Sequence, residues 1–277
     1  MKIDSHQHFW NFDWLNYSWP TKNEEAIFRN IEANELEPLL KKAGIDKTVI
    51  VQADDSYADT VYMLETASKK EWVAGVVGWV PLDKPGEANA KLEEFSKNPY
   101  FKGVRHLIHM YDDPDWIVKD VVIEGLQVLA SYDLTFDLVA IFPNHINHVS
   151  TLVERVPNLK IVVDHLAKPP IKDKIFDPWA ERMRIAASYT NVYAKISGLN
   201  TTADPENWTA ADFQPYIEEA IRCFGADRLM FGSDWPVANL AGDYLKVWTE
   251  TNKALEGRST EEINAILGET AIKFYKL

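Results

Sequence analysis

The chain has 277 residues and a formal net charge of −13 at pH 7, long enough to bury a large core without disulfides and without the basic footprint of a nucleic-acid-binding protein. Cys223, the single cysteine, excludes an intrachain disulfide, fits a reducing compartment and reads as a small apolar residue on a helix. The opening Met1-Lys2-Ile3-Asp4-Ser5-His6 has no apolar stretch of signal-peptide length, and no run approaches the ~18–20 apolar residues that span a bilayer, so a cytoplasmic protein with no membrane partner is expected.

Short β-branched runs alternate with longer helical patterns. Strands are expected over Lys2–His6, Thr48–Ala53, Val73–Val80, Lys102–Ile108, Leu134–Ala140, Leu159–His165, Asn191–Ser197 and Arg228–Ser233. Runs such as Val49-Ile50-Val51, Val76-Val77 and Ile161-Val162-Val163 are continuously apolar, the pattern of parallel strands covered on both faces. Between the first two strands, Asn34 is expected to cap a helix carrying Leu36, Leu39, Leu40 and Ala43, with Gly44 just past its end. Further on, Phe213, Tyr216, Ile217, Ala220, Ile221 and Phe224 form one helical stripe ahead of Gly225. Ala241–Glu256 reads as a helix. Ser259 and Glu262 then make a capping box for a last helix that turns Ile263, Ile266, Leu267, Ala271 and Phe274 inward. No linker, repeat or low-complexity segment divides the chain. The expectation is one α/β domain over residues 1–277, a (β/α)8 TIM barrel with an additional C-terminal helix.

Such a barrel builds its active site at the carboxyl ends of its strands, and the polar residues there define the candidates. The first strand ends in His6-Gln7-His8; residues two apart on an extended segment point the same way, so both imidazoles can face one site. The sixth ends in Asp164-His165 and the eighth in Gly232-Ser233-Asp234. Because strands one and eight become neighbours on closure, Asp234 is expected beside His6 and His8. Three histidines and a carboxylate suit one divalent ion, zinc above all. They equally suit a metal-free acid–base site with donors set against a carbonyl. His6, His8, His165 and Asp234 are therefore the candidate catalytic and metal-ligating set, with either no cofactor required or one divalent metal ion.

Around them, Trp10, Gln52, Arg105, Lys195 and Trp235 are candidate substrate contacts. Arg105 and Lys195 offer cations, Gln52 a hydrogen-bonding amide, and the tryptophans a face for the apolar side of a ring. Trp14, Tyr17 and Trp19 crowd the same first loop. His145 and His148 are outer candidates at the start of the fifth helix, whereas His106 and His109 read as structural or as supports behind the site residues. No GxSxG motif is present, so direct attack by water is expected rather than an acyl-enzyme.

These residues lie in segments that carry a resemblance. Asp4-Ser5-His6-Gln7-His8-Phe9-Trp10, Val51-Gln52-Ala53, Val73–Val80, Lys102-Gly103-Val104-Arg105-His106, Asp164-His165-Leu166-Ala167-Lys168-Pro169, Lys195-Ile196-Ser197-Gly198-Leu199 and Phe231-Gly232-Ser233-Asp234-Trp235-Pro236 run through nearly the whole chain in that order. Together they resemble the lactonase branch of the amidohydrolase superfamily, whose members hydrolyse sugar lactones such as L-fuconolactone and L-rhamnonolactone, with a pyrone-dicarboxylate lactonase as a relative. The resemblance implies a (β/α)8 fold, Asp234 as the base on the last strand, and histidines of strands one and six around the substrate carbonyl. Binuclear members of the wider superfamily carry a bridging lysine on strand four. Here that strand has Lys102 only at its start and Arg105 further on, so no binuclear centre is expected, and the lactonase branch often works without metal.

The expected reaction is hydrolysis of a sugar (aldono-) lactone to its acid, with Asp234 as general base and then acid. A small-molecule sugar lactone is the expected partner, and a homo-oligomer is compatible with the sequence. Two rival readings stand beside it: a zinc-dependent amidohydrolase or decarboxylase using the same four residues, and a non-catalytic sugar-binding barrel, which fits the aromatic loop but leaves the His/His/His/Asp set without a purpose.

Overall fold

A computed structural model describes all of residues 1–277. Its parallel strands are β1 Ile3–Gln7, β2 Lys47–Val51, β3 Val73–Gly78, β4 Phe101–His106, β5 Thr135–Leu138, β6 Lys160–Val163, β7 Val192–Ile196 and β8 Leu229–Phe231. The helices are α1 Ala33–Ala43, α2 Tyr57–Lys69, α3 Pro85–Phe95, α4 Asp120–Ser131, α5 Val149–Arg155, α6 Trp179–Ala187, α7 Ala210–Phe224, α8 Tyr244–Ala254, α9 Thr260–Asn264 and α10 Thr270–Tyr275. The strands pair in sequence order from β1 to β8, the layout of a (β/α)8 barrel. Closure falls to the residues just beyond β8. Asp234 N–H donates to the His6 carbonyl and His8 N–H to the Trp235 carbonyl, both at 2.8 Å. The closing seam is thus made by the residues that the sequence marks as chemically important. No helix is long and apolar enough to cross a membrane.

Local sequence explains most elements and their limits. The stripe from Phe213 to Phe224 is buried along α7, and the helix opens on a Thr209/Asp212 capping box. Gly44 ends α1 at φ 68°, in the left-handed region that favours glycine. The cap at the other end of α1 is Glu32 rather than Asn34. Glu32 N–H donates to the Glu35 carboxylate at 3.3 Å, while Asn34 lies inside the first turn and accepts from Lys70 Nζ at 2.6 Å. The expected helix at Ala241 starts at Tyr244, because Asp243 caps it by accepting from Lys246 N–H at 2.8 Å. Ser259 caps the last helix as its sequence suggests, with a π turn over Ala265–Glu269 between α9 and α10.

Two features of the barrel position the site. Between Asp4 and Gln7, β1 takes three steps while β2 takes two, from Thr48 to Ile50. This bulge breaks the alternation of side chains. Asp4 bonds Tyr244 of α8, outside the sheet, whereas His6 meets Arg105 and Lys195 within it. Below, Ile3, Val49, Val51, Val77, Val162, Tyr193 and Met230 pack with Ala271, Phe274 and Tyr275 in one apolar cluster. Helix α10 thereby seals the amino-terminal end of the lumen, and each large side chain buried there stabilises the fold by about 1.5–3 kcal/mol.

Candidate active site

Above the apolar plug lies a layer of buried charge. Lys195 of β7 is fully buried (0% exposed) and donates to Asp137 of β5, with Asp164 Oδ1 at 3.1 Å and His6 Nδ1 at 3.0 Å. Arg105 of β4 donates to Asp164 Oδ2 at 3.2 Å and, through its other terminal nitrogen, to the Gln52 carbonyl at 3.0 Å. Tyr275 of α10 donates to Asp137 at 2.7 Å, which joins this layer to the plug below. Buried ions are tolerated only when paired, and here two cations meet two carboxylates. Burial pushes Asp137 up to about 6, against the pull of Lys195. Burial would raise Asp164 too, but Lys195, His6 and Arg105 together hold it well below the usual carboxylate range.

At the carboxyl end of the barrel, His6 Nε2 and His8 Nε2 are 3.1 Å apart, and Asp234 Oδ1 lies 3.4 Å from the second and 3.7 Å from the first. His8 Nδ1 is 2.7 Å from the Val51 carbonyl, which can only accept, so its proton sits there and Nε2 offers a lone pair. His6 lies between cations, its Nε2 3.1 Å from Arg105 and its Nδ1 3.0 Å from Lys195 Nζ, with Asp164 Oδ1 3.3 Å from Nδ1. His6 Nε2, His8 Nε2 and Asp234 Oδ1 thus form a triangle of ligand atoms close enough to hold one divalent cation. Ligands held tetrahedrally at about 2.0–2.1 Å stand about 3.3–3.4 Å apart, close to the observed triangle.

His165 stands beside this triangle rather than in it. Its ligand atom groups with those of His6 and Asp164, and its Nδ1 is 2.8 Å from Ser197 Oγ. The expected four-residue metal set is therefore three donors with His165 adjacent. Burial lowers the pKa of His6, His8 and His165, the last to about 4, so these imidazoles are neutral at pH 7. Burial would raise Asp234. His165, His8 and His6, protonated in the acid range where this carboxyl titrates, outweigh it, and the carboxyl stays ionised, well below the usual range.

The backbone here is strained. His165, Leu166, Ala167 and Lys168 have φ of 55, 49, 59 and 51°, and Asp234 has 56°. Each L-residue in this left-handed region costs about 1–2 kcal/mol. The turn is held from outside by Trp179 Nε1, which donates to the Leu166 carbonyl at 2.7 Å, and by Phe142 N–H, which donates to that of Ala167 at 2.9 Å. Gly198 lets the two catalytic candidates approach: a Cβ there would lie 2.8 Å from both Asp234 Oδ2 and His165 Nδ1.

These groups floor a cavity of about 270 Å³. His8, Arg105, His165 and Asp234 line it together with Trp10, Trp19, His109, Lys168 and an apolar rim that includes Leu107, Met110, Val139 and Val237. Of the candidate substrate contacts, Trp10 and Arg105 lie on its wall. Gln52, Lys195 and Trp235 do not line it. Gln52 donates to Asp55 at 2.6 Å, Lys195 sits one layer deeper among the carboxylates, and Trp235 packs against Phe9 with ring centres 6.0 Å apart. Trp14 is 64% exposed, and Tyr17 donates to Asp59 at 3.2 Å. His145 and His148 lie outside the cavity; the first accepts from Ile141 N–H at 3.3 Å and the second is 3.1 Å from Asp115. His106 is tied to the Val80 carbonyl at 2.7 Å, a structural role. His109, expected to be structural or to stand behind the site, lines the cavity itself, and so does Lys168, for which the sequence suggested no role. The available signal for Lys168 was its place three residues after His165 at a strand end.

A barrel with buried acid–base groups at the carboxyl ends of its strands is enzyme architecture. Residues 3–277 match the amidohydrolase family, and the chain belongs to it. It is 39% identical over 243 residues to an L-fucono-1,5-lactonase of Burkholderia ambifaria, across 88% of this chain and 83% of that protein. It is 32% identical over 288 residues to an L-fucono-1,5-lactonase of Burkholderia multivorans, across 100% and 96% of the two chains. A crystal structure of an amidohydrolase from Burkholderia multivorans with bound zinc superposes with a TM-score of 0.93 at 30% identity, covering 100% of this chain and 99% of that one.

Proposed function

We propose that this protein hydrolyses a sugar lactone of the L-fucono-1,5-lactone type to the open-chain sugar acid. The observation that carries the proposal is the ionised Asp234 at the floor of a sugar-sized cavity, facing neutral imidazoles and the Arg105 guanidinium. The names of two relatives that align over most of this chain support the substrate class.

The lactone carbonyl points toward Arg105 and His165, and the apolar side of the ring rests on Trp10 and Trp19. Asp234 takes a proton from water as the water oxygen bonds to the carbonyl carbon. Arg105 and His165 stabilise the resulting oxyanion; Ser197 donating to Nδ1 leaves the His165 proton on Nε2. One strong preorganised donor contributes roughly 3–4 kcal/mol in such sites. The bond from the carbonyl carbon to the ring oxygen then breaks, and Asp234 returns the proton to that oxygen. The acid formed loses its own proton to solvent.

One zinc ion suits His6, His8 and Asp234, where it would supply Lewis-acid polarisation of a bound oxygen. On this proposal turnover does not depend on it, because Arg105 already sets a fixed positive charge 3.1 Å from His6 Nε2. Chelation should leave most of the lactone turnover, and elemental analysis should find at most one divalent ion per chain.

The deciding assay follows acid release from fucono-, rhamnono-, galactono- and gluconolactones, with spontaneous opening subtracted and amide and decarboxylation substrates beside them. Rates should scale with enzyme on at least one sugar lactone. Turnover of an amide or loss of CO₂, with every sugar lactone at background, would overturn the proposal.

A further inference from the structure

The turn after β6 does more than place His165. In a left-handed turn of three to four residues, positions three apart project to the same side. His165 and Lys168 accordingly both line the cavity, while Leu166 and Ala167 between them are 0% exposed. No glycine relieves the strain, and positive φ runs through all four residues. Carrying the turn as far as position 168 is what brings a lysine over the cavity beside His165.

Charge supplies the second observation. The cavity wall carries Arg105, Lys168 and Asp234 as its formal charges. Arg105 is paired with Asp164 at 3.2 Å, and Asp234 faces His6 and His8. Lys168, half-buried at the cavity wall, takes part in none of the ion pairs and its ammonium has no protein hydrogen-bond partner, so its charge stands unpaired where the cavity opens. Beside it is His109, whose Nδ1 is buried and without a partner. Orphaned buried N–H groups are rarer than orphaned acceptors, so we assign the His109 proton to Nε2. Burial and the charges of Lys168 and Arg105 keep that ring neutral, pushed down to about 3. Lys168 and His109 thus offer donors only, and donors alone call for an anionic oxygen.

The lactone is neutral, but its hydrolysis makes a carboxylate next to the ionised Asp234. We propose that Lys168, with His109 beside it, binds the carboxylate of the ring-opened sugar acid, so that the left-handed turn presents a carbonyl-facing imidazole and a product-binding ammonium together. The inference rests on the lactonase proposal, and its test separates the two.

The test compares wild type with Lys168→Met, which keeps the stem and removes the charge, and with Lys168→Arg, which keeps the charge. Calorimetry measures binding of the sodium salt of the sugar acid and of the neutral 1,5-anhydro sugar, which lacks the carbonyl. Lys168→Met should weaken acid binding by about tenfold, the loss of one charge-assisted hydrogen bond, and leave binding of the anhydro sugar unchanged. Lys168→Arg should restore most of the acid affinity, and melting curves should match throughout. The inference falls if wild type does not bind the acid, if acid and anhydro sugar weaken together, or if lactone kcat collapses while acid affinity holds. Calorimetry needs no turnover, so an enzyme inactive on every lactone would sink the lactonase proposal by a separate result.

Discussion

The two ends of the barrel lumen are built on opposite terms. At the amino-terminal end, valines, Ile3 and Met230 from the strands meet Phe274 and Tyr275 of α10 in an apolar cluster. At the carboxyl-terminal end, His6, His8, His165 and Asp234 are as deeply buried but polar, and five non-glycine residues there hold positive φ. Only the Lys195, Arg105, Asp137 and Asp164 layer separates the two. A domain is stable by a small margin between large terms, so strain and buried charge at one end can persist only because the rest of the barrel over-stabilises them. On this view the amino end carries stability and the carboxyl end carries function.

The largest expected effect breaks the stable end. Phe274 is buried against Tyr193 and Tyr275, with ring centres 4.7 and 4.8 Å away. Phe274→Ala should cost about 3–5 kcal/mol in denaturant unfolding, with kcat per folded molecule retained at a temperature where the variant is still folded. A loss of kcat without loss of stability would remove the division between the ends.

Next comes the functional end. Asp234→Asn keeps the shape and removes the proton acceptor, so kcat should fall by at least about a hundredfold, with a melting temperature unchanged or raised. His165→Asn should be nearly as damaging, since it strips a donor from the carbonyl. Near-wild-type turnover in the purified Asp234 variant would reduce that residue to a structural part of the closing seam.

The smallest effect sharpens the account of strain. Ala167→Gly places at φ 59° the one residue that adopts such an angle freely. Relief of the left-handed penalty should stabilise the protein by about 1 kcal/mol, seen in thermal or denaturant melts, with lactone kcat little changed. Destabilisation instead would mean that the turn carries no strain to release.

The sequence by itself determined the alternation of strands and helices, the inward stripe of α7, the Ser259/Glu262 cap and the gathering of His6, His8, His165 and Asp234 at strand ends. Those features depend on periodicity and on contacts a few residues apart, which a sequence displays directly. The tertiary structure decided the rest. The bulge in β1 separates Asp4 from His6, and no local signal in the chain marks where alternation will slip. Lys195 lies one layer below the cavity rather than on its wall, because depth in a barrel depends on how neighbouring strands are staggered. The left-handed turn moves His165 out of the donor triangle and brings Lys168 into the cavity. Nothing in His-Leu-Ala-Lys favours positive φ; the turn stands because Trp179 and Phe142, distant in sequence, satisfy its carbonyls. Strain imposed by remote hydrogen bonds is invisible to propensity, and it sets which side chains reach the cavity.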